Sequence, residues 1–112
     1  MTSHLDAHEK ITYVKYPSLP GNEYHKLAKK YLPHGSCGVV SFGVRGGRDA
    51  AEQFMNSLKR CNIATHVSDA HTGVLHPASS THRQMTDEQL AAAGIRPDFV
   101  RLSVGIEAAG DI

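Results

Sequence analysis

The sequence has little cysteine, almost no net charge and no apolar run long enough to cross a membrane. Two cysteines, Cys37 and Cys61, are too few for a disulfide framework, and neither has a partner at metal-ligand spacing. A formal charge of +1 gives no electrostatic basis for binding nucleic acid or an anionic membrane. The polar start, residues 1–4, does not resemble a signal peptide. We therefore expect a cytoplasmic protein without nucleic-acid or membrane partners.

The length of the chain limits its architecture. A chain of 112 residues predicts a single domain, residues 1–112, with one hydrophobic core and little room for a large enclosed cofactor pocket. A hydrophobic content of 40% and a charged content of 21% are ordinary for a globular protein, so disordered and fibrous classes are disfavoured.

Short strands and helices alternate along the chain. Tyr24, Leu27, Ala28 and Tyr31 recur at i, i+3, i+4 and i+7, which predicts a helix, and the same spacing recurs over residues 51–58. Together these patterns predict an α+β layer, with helices over one face of a small sheet. The segments rich in β-formers, which predict strands, are 11–16, 38–44, 63–67 and 99–106.

The third predicted helix has the clearest start signal. Thr86 is the expected N-cap and Gln89 completes a capping box. Met85 and Leu90 occupy the two hydrophobic-staple positions, and Gly94 suits the residue after the helix.

Four histidines, His66, His71, His76 and His82, fall in or near the stretch VLHPASSTHRQ and raise the question of a metal site. Their separations are five, five and six residues. An odd separation puts strand side chains on opposite faces, and five residues on a helix place them roughly 140° apart. No thiolate accompanies them, so a metal site is disfavoured. The alternative is loop histidines hydrogen-bonded through residues 79–81.

A second candidate is the stretch VRGGRDAA, residues 44–51. A Gly-Gly turn opening a helix between Arg45 and Arg48 could bind an anion. It lacks both established glycine-rich phosphate-binding patterns, so a plain strand-to-helix turn is favoured.

A third candidate is Arg101 in the last predicted strand. Val100, Leu102, Val104 and Ile106 form an apolar row, which leaves Arg101 on the opposite face. A guanidinium on a rigid strand is suited to binding a carboxylate through two hydrogen bonds. From alternation alone, a solvent-facing arginine is the better interpretation.

Several motifs resemble one enzyme family. HPASSTHRQ, DEQLAAAGI and VRLSVGIE are similar to the C-terminal domain of the pyridoxal-phosphate-dependent enzymes of Cys/Met metabolism. YPSLPGNEYHKLAKKYLPHGSCGVVSFGVRGG resembles the opening of that domain, and EQFMNSLKRCNIATHVSDAHT its middle. The subgroup most similar is O-acetylhomoserine sulfhydrylase, with cystathionine γ-synthase and the cystathionine lyases as relatives. The resemblance implies the small domain of the aspartate-aminotransferase-like fold (fold type I), α+β, with a mainly antiparallel sheet.

The resemblance also implies roles for particular residues. The arginine of RLSVGIE, here Arg101, binds the substrate's α-carboxylate in the family. Thr65 lies near the family's carboxylate-binding segment, although the spacing after it is shortened. The loop from His76 to His82 lies at the rim of the family's active site, which makes a metal role for it less probable still.

The chain departs from the family pattern in one important respect. The family's cofactor lysine lies in a Ser-x-Thr-Lys motif of a larger N-terminal domain, and none of the six lysines here has that context. The family would also continue past residue 112 into a final helix. We therefore expect no catalytic residue in this chain and no covalently bound pyridoxal phosphate. The lysines are Lys10, Lys15, Lys26, Lys29, Lys30 and Lys59.

Two kinds of function remain open. The chain could be part of an O-acetylhomoserine sulfhydrylase, which converts O-acetylhomoserine and sulfide to homocysteine and acetate in methionine biosynthesis and transsulfuration. A cystathionine γ-synthase or lyase would have a similar domain. Alternatively, it could be a non-catalytic protein that binds an amino acid, an N-terminal domain or another copy of itself.

Overall fold

The structure, a computed structural model, describes all 112 residues as a five-stranded sheet with short helices. The strands are β1 (Ile11–Lys15), β2 (Val39–Val44), β3 (Asn62–Ile63), β4 (Gly73–Leu75) and β5 (Phe99–Ser103). The α-helices are α1 (Thr2–Ala7), α2 (His25–Tyr31), α3 (Gly47–Ser57) and α4 (Asp87–Ala92), and a 3₁₀ turn spans Pro77–Ser79.

The strand order is β1-β2-β5-β4-β3, which puts the last strand of the sequence at the centre of the sheet. Three of the four pairings are antiparallel, and only β3 and β4 run parallel. The predicted α+β class with a mainly antiparallel sheet is therefore confirmed. No helix is long and apolar enough to cross a membrane.

The hydrophobic core lies on one face of the sheet. Phe42 on β2 and Val100 on β5 are opposite each other in the register and are almost fully buried. Side chains of α1 and α3, among them Leu5 and Met55, pack on this face, and the ring of Phe54 meets that of Phe42 edge to face. Because Val100 and Leu102 point into this core, the residues of β5 between and beside them point to the opposite face of the sheet.

Both predicted start and stop signals of α4 are confirmed. The Thr86 hydroxyl accepts a hydrogen bond from the Gln89 amide at 3.3 Å, and the Thr86 amide donates to Gln89 Oε1 at 2.9 Å. Leu90 is fully buried, and Gly94 follows the helix with φ of 76°. A positive φ is readily adopted only by glycine, which explains the residue found there.

Other elements differ from the sequence prediction. The strand predicted at 63–67 is only Asn62–Ile63, and β4 and α1 were not predicted. β5 ends at Ser103, so Ile106 is not part of a buried row but is 86% exposed. Helix α2 forms as predicted, yet its apolar stripe is not buried. Only Ala28 is covered, whereas Tyr31 remains 67% exposed.

Candidate functional site

Arg101 lies in the central strand, on the face opposite the core. It pairs with Ser41 of β2 and with Leu75 of β4. Its neighbours Val100 and Leu102 are buried on the core side, at 0% and 6% exposure, as alternation along β5 predicts. Arg101 therefore lies on a strand that is hydrogen-bonded on both sides, which gives its guanidinium a rigid attachment.

The structure brings Arg101 and Thr65 together through the backbone. Arg101 Nη2 donates to the Thr65 carbonyl at 2.7 Å and, at a longer 3.4 Å, to the His66 carbonyl. Arg101 Nε is buried and has no acceptor. The contact with Thr65 uses its carbonyl oxygen, so the threonine hydroxyl is not what orients the arginine.

Thr65 and His66 belong to the loop of residues 64–72 between β3 and β4, which is exposed over residues 65–71. Ser68 in this loop has a φ of 63°, a left-handed conformation that costs free energy in a residue with a side chain. Its amide donates to the Ser103 hydroxyl at 3.3 Å. The loop is therefore held against β5 by side chains of that strand.

The end of the loop is fastened by Glu107. The Thr72 amide donates to Glu107 Oε1 at 2.7 Å, and the Thr72 hydroxyl donates to Oε2 at 2.9 Å. Hydrogen bonds to the carboxylate lower the pKa of the Glu107 carboxyl. The largest effect comes from the backbone amide of Thr72, and the next from the backbone amide of Glu107 itself. Burial, and next the charge of Glu107, raise the pKa of the nearby Cys61 thiol. Sequence reasoning missed Thr72 and Glu107.

His76 serves a structural role. It is 1% exposed, and its Nε2 lies 2.7 Å from the Pro97 carbonyl, an acceptor, so Nε2 carries the proton. Nδ1 therefore accepts from the Ser79 hydroxyl at 2.8 Å. The expectation that residues 79–81 satisfy these loop histidines is confirmed for His76, and the Thr81 hydroxyl lies 2.8 Å from His82 Nδ1. The HPAS turn is thereby tied to Pro97, two residues before β5.

The remaining histidines of the group do not converge. His66 and His71 are exposed in the loop, whereas His76 is buried with both ring nitrogens in hydrogen bonds. No group of three or more His, Cys, Asp or Glu side chains is arranged to hold a metal ion.

The turn that opens α3 is a strand-to-helix connection. Arg48 Nη1 donates to the Ala78 carbonyl at 2.8 Å, and its Nη2 forms an ion pair with Asp87 at 2.5 Å. Gly46 and Gly47 both have positive φ values, as the turn requires. The guanidinium links α3 to the HPAS turn and to α4, which agrees with the favoured interpretation of this stretch.

A second polar cluster surrounds Tyr13 at the β1 edge of the sheet. Arg96 binds the buried Asp98 carboxylate through Nε at 2.9 Å and Nη2 at 3.1 Å, and its guanidinium lies 4.8 Å from the centre of the Tyr13 ring. Desolvation, followed by the charge of Asp98, raises the pKa of Tyr13 to about 12. The Tyr13 ring covers Gly43 so closely that a Cβ there would lie 2.3 Å from it.

A large apolar groove lies on the core side, away from Arg101. Its volume is about 1130 Å³, and it opens between α1, α3 and the last residues of the chain. Side chains that line it include Leu5, Phe54, Leu58, Leu102 and Ile112.

The lysines do not form a site for the cofactor that the sequence resemblance implies. All six are exposed, whereas a lysine that attacks a carbonyl is normally desolvated to lower its pKa. Lys15 on β1 pairs with Ser41, which in turn pairs with Arg101, and the Lys15 ammonium lies 5.8 Å from the Tyr13 ring. The expectation that this chain holds no covalently bound pyridoxal phosphate stays a prediction, which the exposure of these six lysines favours.

Comparison with known sequences gives one consistent result. Residues 1–112 match the protein family described as Cys/Met metabolism PLP-dependent enzyme. Homocysteine synthase of Schizosaccharomyces pombe is 44% identical over 112 residues, which are 100% of this chain and 26% of that protein. O-acetyl-L-homoserine sulfhydrylase 1 of Thermus thermophilus is 41% identical over 91% of this chain and 24% of its own. An L-methionine gamma-lyase of Fusobacterium nucleatum is 42% identical over 96% of this chain and 27% of its own.

Solved structures give the same result for the fold. A putative O-acetylhomoserine (thiol)-lyase from Campylobacter jejuni, solved with N′-pyridoxyl-lysine-5′-monophosphate, superposes with a TM-score of 0.86 at 34% identity. Cystathionine gamma synthase from Xanthomonas oryzae, in complex with aminoacrylate and cysteine, gives 0.85 at 36% identity. Each superposition covers 98% of this chain but 26% and 28% of the solved chains. The expected fold is confirmed, and the chain spans about a quarter of the length of these relatives.

Proposed function

The chain belongs to the family of Cys/Met metabolism PLP-dependent enzymes, and on that premise we propose that it supplies the substrate-carboxylate site of an O-acetylhomoserine sulfhydrylase. The similarity to homocysteine synthase and to O-acetyl-L-homoserine sulfhydrylase over nearly the whole chain supports this activity. The complete reaction would convert O-acetylhomoserine and sulfide to homocysteine and acetate.

The state of the Arg101 guanidinium is the observation that carries the proposal. Its Nη2 is anchored by the Thr65 and His66 carbonyls, while its Nε has no acceptor. An unsatisfied buried donor costs about 1–3 kcal/mol, and within this chain the guanidinium has an incomplete set of partners. A substrate carboxylate, with four acceptor lone pairs, would complete the set.

In this proposal the chain's residues bind and orient the substrate. Arg101 fixes the α-carboxylate, and the two loop carbonyls fix the rotation of the guanidinium, so that the rest of the amino acid points in one direction. Pyridoxal phosphate, when an enzyme binds it, supplies an electron sink. In this proposal the lysine that holds the cofactor lies outside residues 1–112.

A lyase or a cystathionine synthase is the second candidate. It is favoured by the 42% identity to an L-methionine gamma-lyase and by the superposition on cystathionine gamma synthase. O-acetylhomoserine, methionine and cystathionine are all α-amino acids, so a carboxylate site would serve each of them. A non-catalytic amino-acid-binding protein would use the same arginine.

Binding to the isolated chain tests the carboxylate site. We expect L-methionine, but not methioninol, which lacks the carboxylate, to shift the Arg101 side-chain resonances in a ¹⁵N-labelled sample. Arg101→Lys keeps the charge but not the two-pronged donor, so the dissociation constant should rise at least about tenfold, the factor that corresponds to 1.4 kcal/mol. Arg83→Lys is the matched control, because Arg83 is exposed and its side chain makes no hydrogen bond or ion pair. Equal binding by wild type and Arg101→Lys, or by methioninol, would exclude this role.

Reconstitution distinguishes the candidate activities. The chain would be mixed with the N-terminal three quarters of a sulfhydrylase and, separately, with that of a lyase, each bearing its own cofactor lysine. Formation of homocysteine from O-acetylhomoserine and sulfide supports the first proposal. Release of methanethiol from methionine supports a lyase instead, and binding without either activity supports the non-catalytic alternative.

A further inference from the structure

The segment RLSVGIE presents four alternate residues to one loop. Arg101 and Ser103 share a face of β5, as residues spaced by two do in a strand, and Gly105 and Glu107 continue the spacing after the strand ends. Three of them bind loop residues 64–72 through their side chains: Arg101 at Thr65, Ser103 at Ser68 and Glu107 at Thr72. Each side chain binds a different part of the loop, so the RLSVGIE segment holds the loop at its start, middle and end.

The glycine of this row allows the close approach. A Cβ at Gly105 would lie 2.3 Å from the Ala70 carbonyl and 2.7 Å from the Thr72 amide. The Gly105 amide donates to the Thr72 hydroxyl at 3.0 Å, and the Ile106 amide donates to the Ala70 carbonyl at 3.0 Å. Thr72 is consequently 1% exposed, with its hydroxyl both accepting from Gly105 and donating to Glu107.

The loop has little else to hold it in place. Residues 65–71 are all exposed, and Val67 is 50% exposed. A loop with few buried apolar contacts and a left-handed Ser68 needs specific hydrogen bonds to keep one conformation. Yet the carbonyls of Thr65 and His66, at the start of this loop, are the only acceptors that the Arg101 side chain contacts.

We propose that Glu107 is a positioning residue for Arg101: by binding Thr72 through both carboxylate oxygens, it holds loop 64–72 where its carbonyls orient the guanidinium. The role of Arg101 in carboxylate binding rests on the proposed function, whereas the fastening of the loop does not. Glu107 does not touch the substrate in this arrangement. His71 Nδ1 lies 3.8 Å from Glu107 Oε1 and is 74% exposed, so it is a weaker partner than Thr72.

Two substitutions weaken the Thr72–Glu107 hydrogen bonds, one on each partner. Glu107→Ala removes both acceptors, and Thr72→Val removes the hydroxyl with little change in shape. Thr72→Ser keeps the hydroxyl and should restore wild-type behaviour. Glu23→Ala is the matched control, because Glu23 is an exposed glutamate two residues before α2 whose side chain makes no hydrogen bond.

The readouts are amide hydrogen exchange in the ¹⁵N-labelled chain, the Arg101 Nε–H resonance and L-methionine affinity. In Glu107→Ala and Thr72→Val we expect the Ser68 amide to exchange at least about tenfold faster, with a shifted Arg101 resonance and weaker binding. The amides of Val40 and Leu102, in the sheet core, should keep their wild-type rates. Thr72→Ser and Glu23→Ala should resemble wild type throughout.

Two results would overturn the proposal. One is an unchanged Arg101 resonance and unchanged loop exchange in both variants. The other is equally accelerated exchange at Val40 and Leu102, because that would show general loss of stability instead of loop release. Should Glu107→Ala fail to fold, the comparison of Thr72→Val with Thr72→Ser tests the proposal instead. Failure of wild type to bind L-methionine would count against the proposed function. The exchange data would still test whether the Thr72–Glu107 hydrogen bonds hold loop 64–72 in place.

Discussion

Single side chains join segments of this fold that are distant in sequence. Tyr13 on β1 covers Gly43 on β2, and Arg96, before β5, stacks on the Tyr13 ring while binding Asp98. The Thr12 hydroxyl also donates to Asp98, at 3.3 Å. The phenol of Tyr13 is therefore half-buried beside a carboxylate, a position that disfavours its ionised form.

The raised pKa of Tyr13 predicts a loss of stability in alkali. Because folding raises this pKa from 10.0 to about 12, the contribution is complete below pH 10 and is lost as the pH rises from 10 to about 12. We expect the unfolding free energy of wild type to fall more steeply across that interval than that of Tyr13→Phe. Denaturant unfolding at several pH values measures this difference.

The other tyrosines provide the control for this measurement. Tyr24 is 55% exposed, so Tyr24→Phe should keep the wild-type pH dependence. Spectrophotometric titration should show late ionisation of the Tyr13 phenol in wild type, and this late step should disappear in Tyr13→Phe. A late group that persists in Tyr13→Phe would show that another tyrosine is responsible.

The candidate site was only partly predictable at the residue level. Alternation along the last strand placed Arg101 on the uncovered face, because a period of two is a local property of the chain. Thr65 was expected nearby from resemblance alone, and the structure uses its carbonyl, which any residue could supply. The pairing of Thr72 with Glu107 joins residues 35 positions apart. Such a pairing depends on strand order, which local patterns do not encode.

Among the elements, those with an end signal were predicted best. The capping box at Thr86 and Gln89 located the start of α4, since both hydrogen bonds are local. β4 was missed because its three residues are all buried, so no alternation marks them. α1 has neither a side-chain cap nor a fully buried residue, and its sequence TSHLDA carries no strong helical pattern.

Removal of the α4 cap should cost stability without changing the fold. Thr86→Ala leaves the Gln89 amide without its acceptor, and loss of such a cap costs about 0.5–2 kcal/mol. Thr81→Ala, a change of the same size in the preceding turn, is the control, because the Thr81 hydroxyl contacts only the neighbouring His82 ring. Thermal unfolding of both variants makes the comparison. Equal midpoints for the two would show that the capping box contributes nothing.

For the molecule as a whole, apolar surface remains uncovered. The stripe of α2 formed by Tyr24, Leu27 and Tyr31 is more than half exposed, and the groove beside α3 adds a second apolar surface. Contiguous apolar patches on an isolated protein favour association.

We therefore expect the chain to associate with itself at high concentration. Leu27→Glu places a charge in the centre of the α2 stripe and should shift sedimentation toward the monomer. Lys26→Glu, one position away and outside the stripe, should not, although it changes the charge by more. A wild-type chain that sediments as a monomer at high concentration, with no binding of a dye for apolar surface, would contradict the expectation.

The central place of β5 also determines when this sheet can be completed during folding. β5 is the last strand to be synthesised, yet it joins the β1–β2 pair to the β3–β4 pair. Its pairing with β2 closes a loop between Val39 and Ser103, so an entropic barrier must be crossed before any of those hydrogen bonds form. Topologies with such long-range pairings fold slowly, on the order of milliseconds to seconds. On a ribosome, the two strand pairs would wait, each with an open edge, until residues 99–103 emerged.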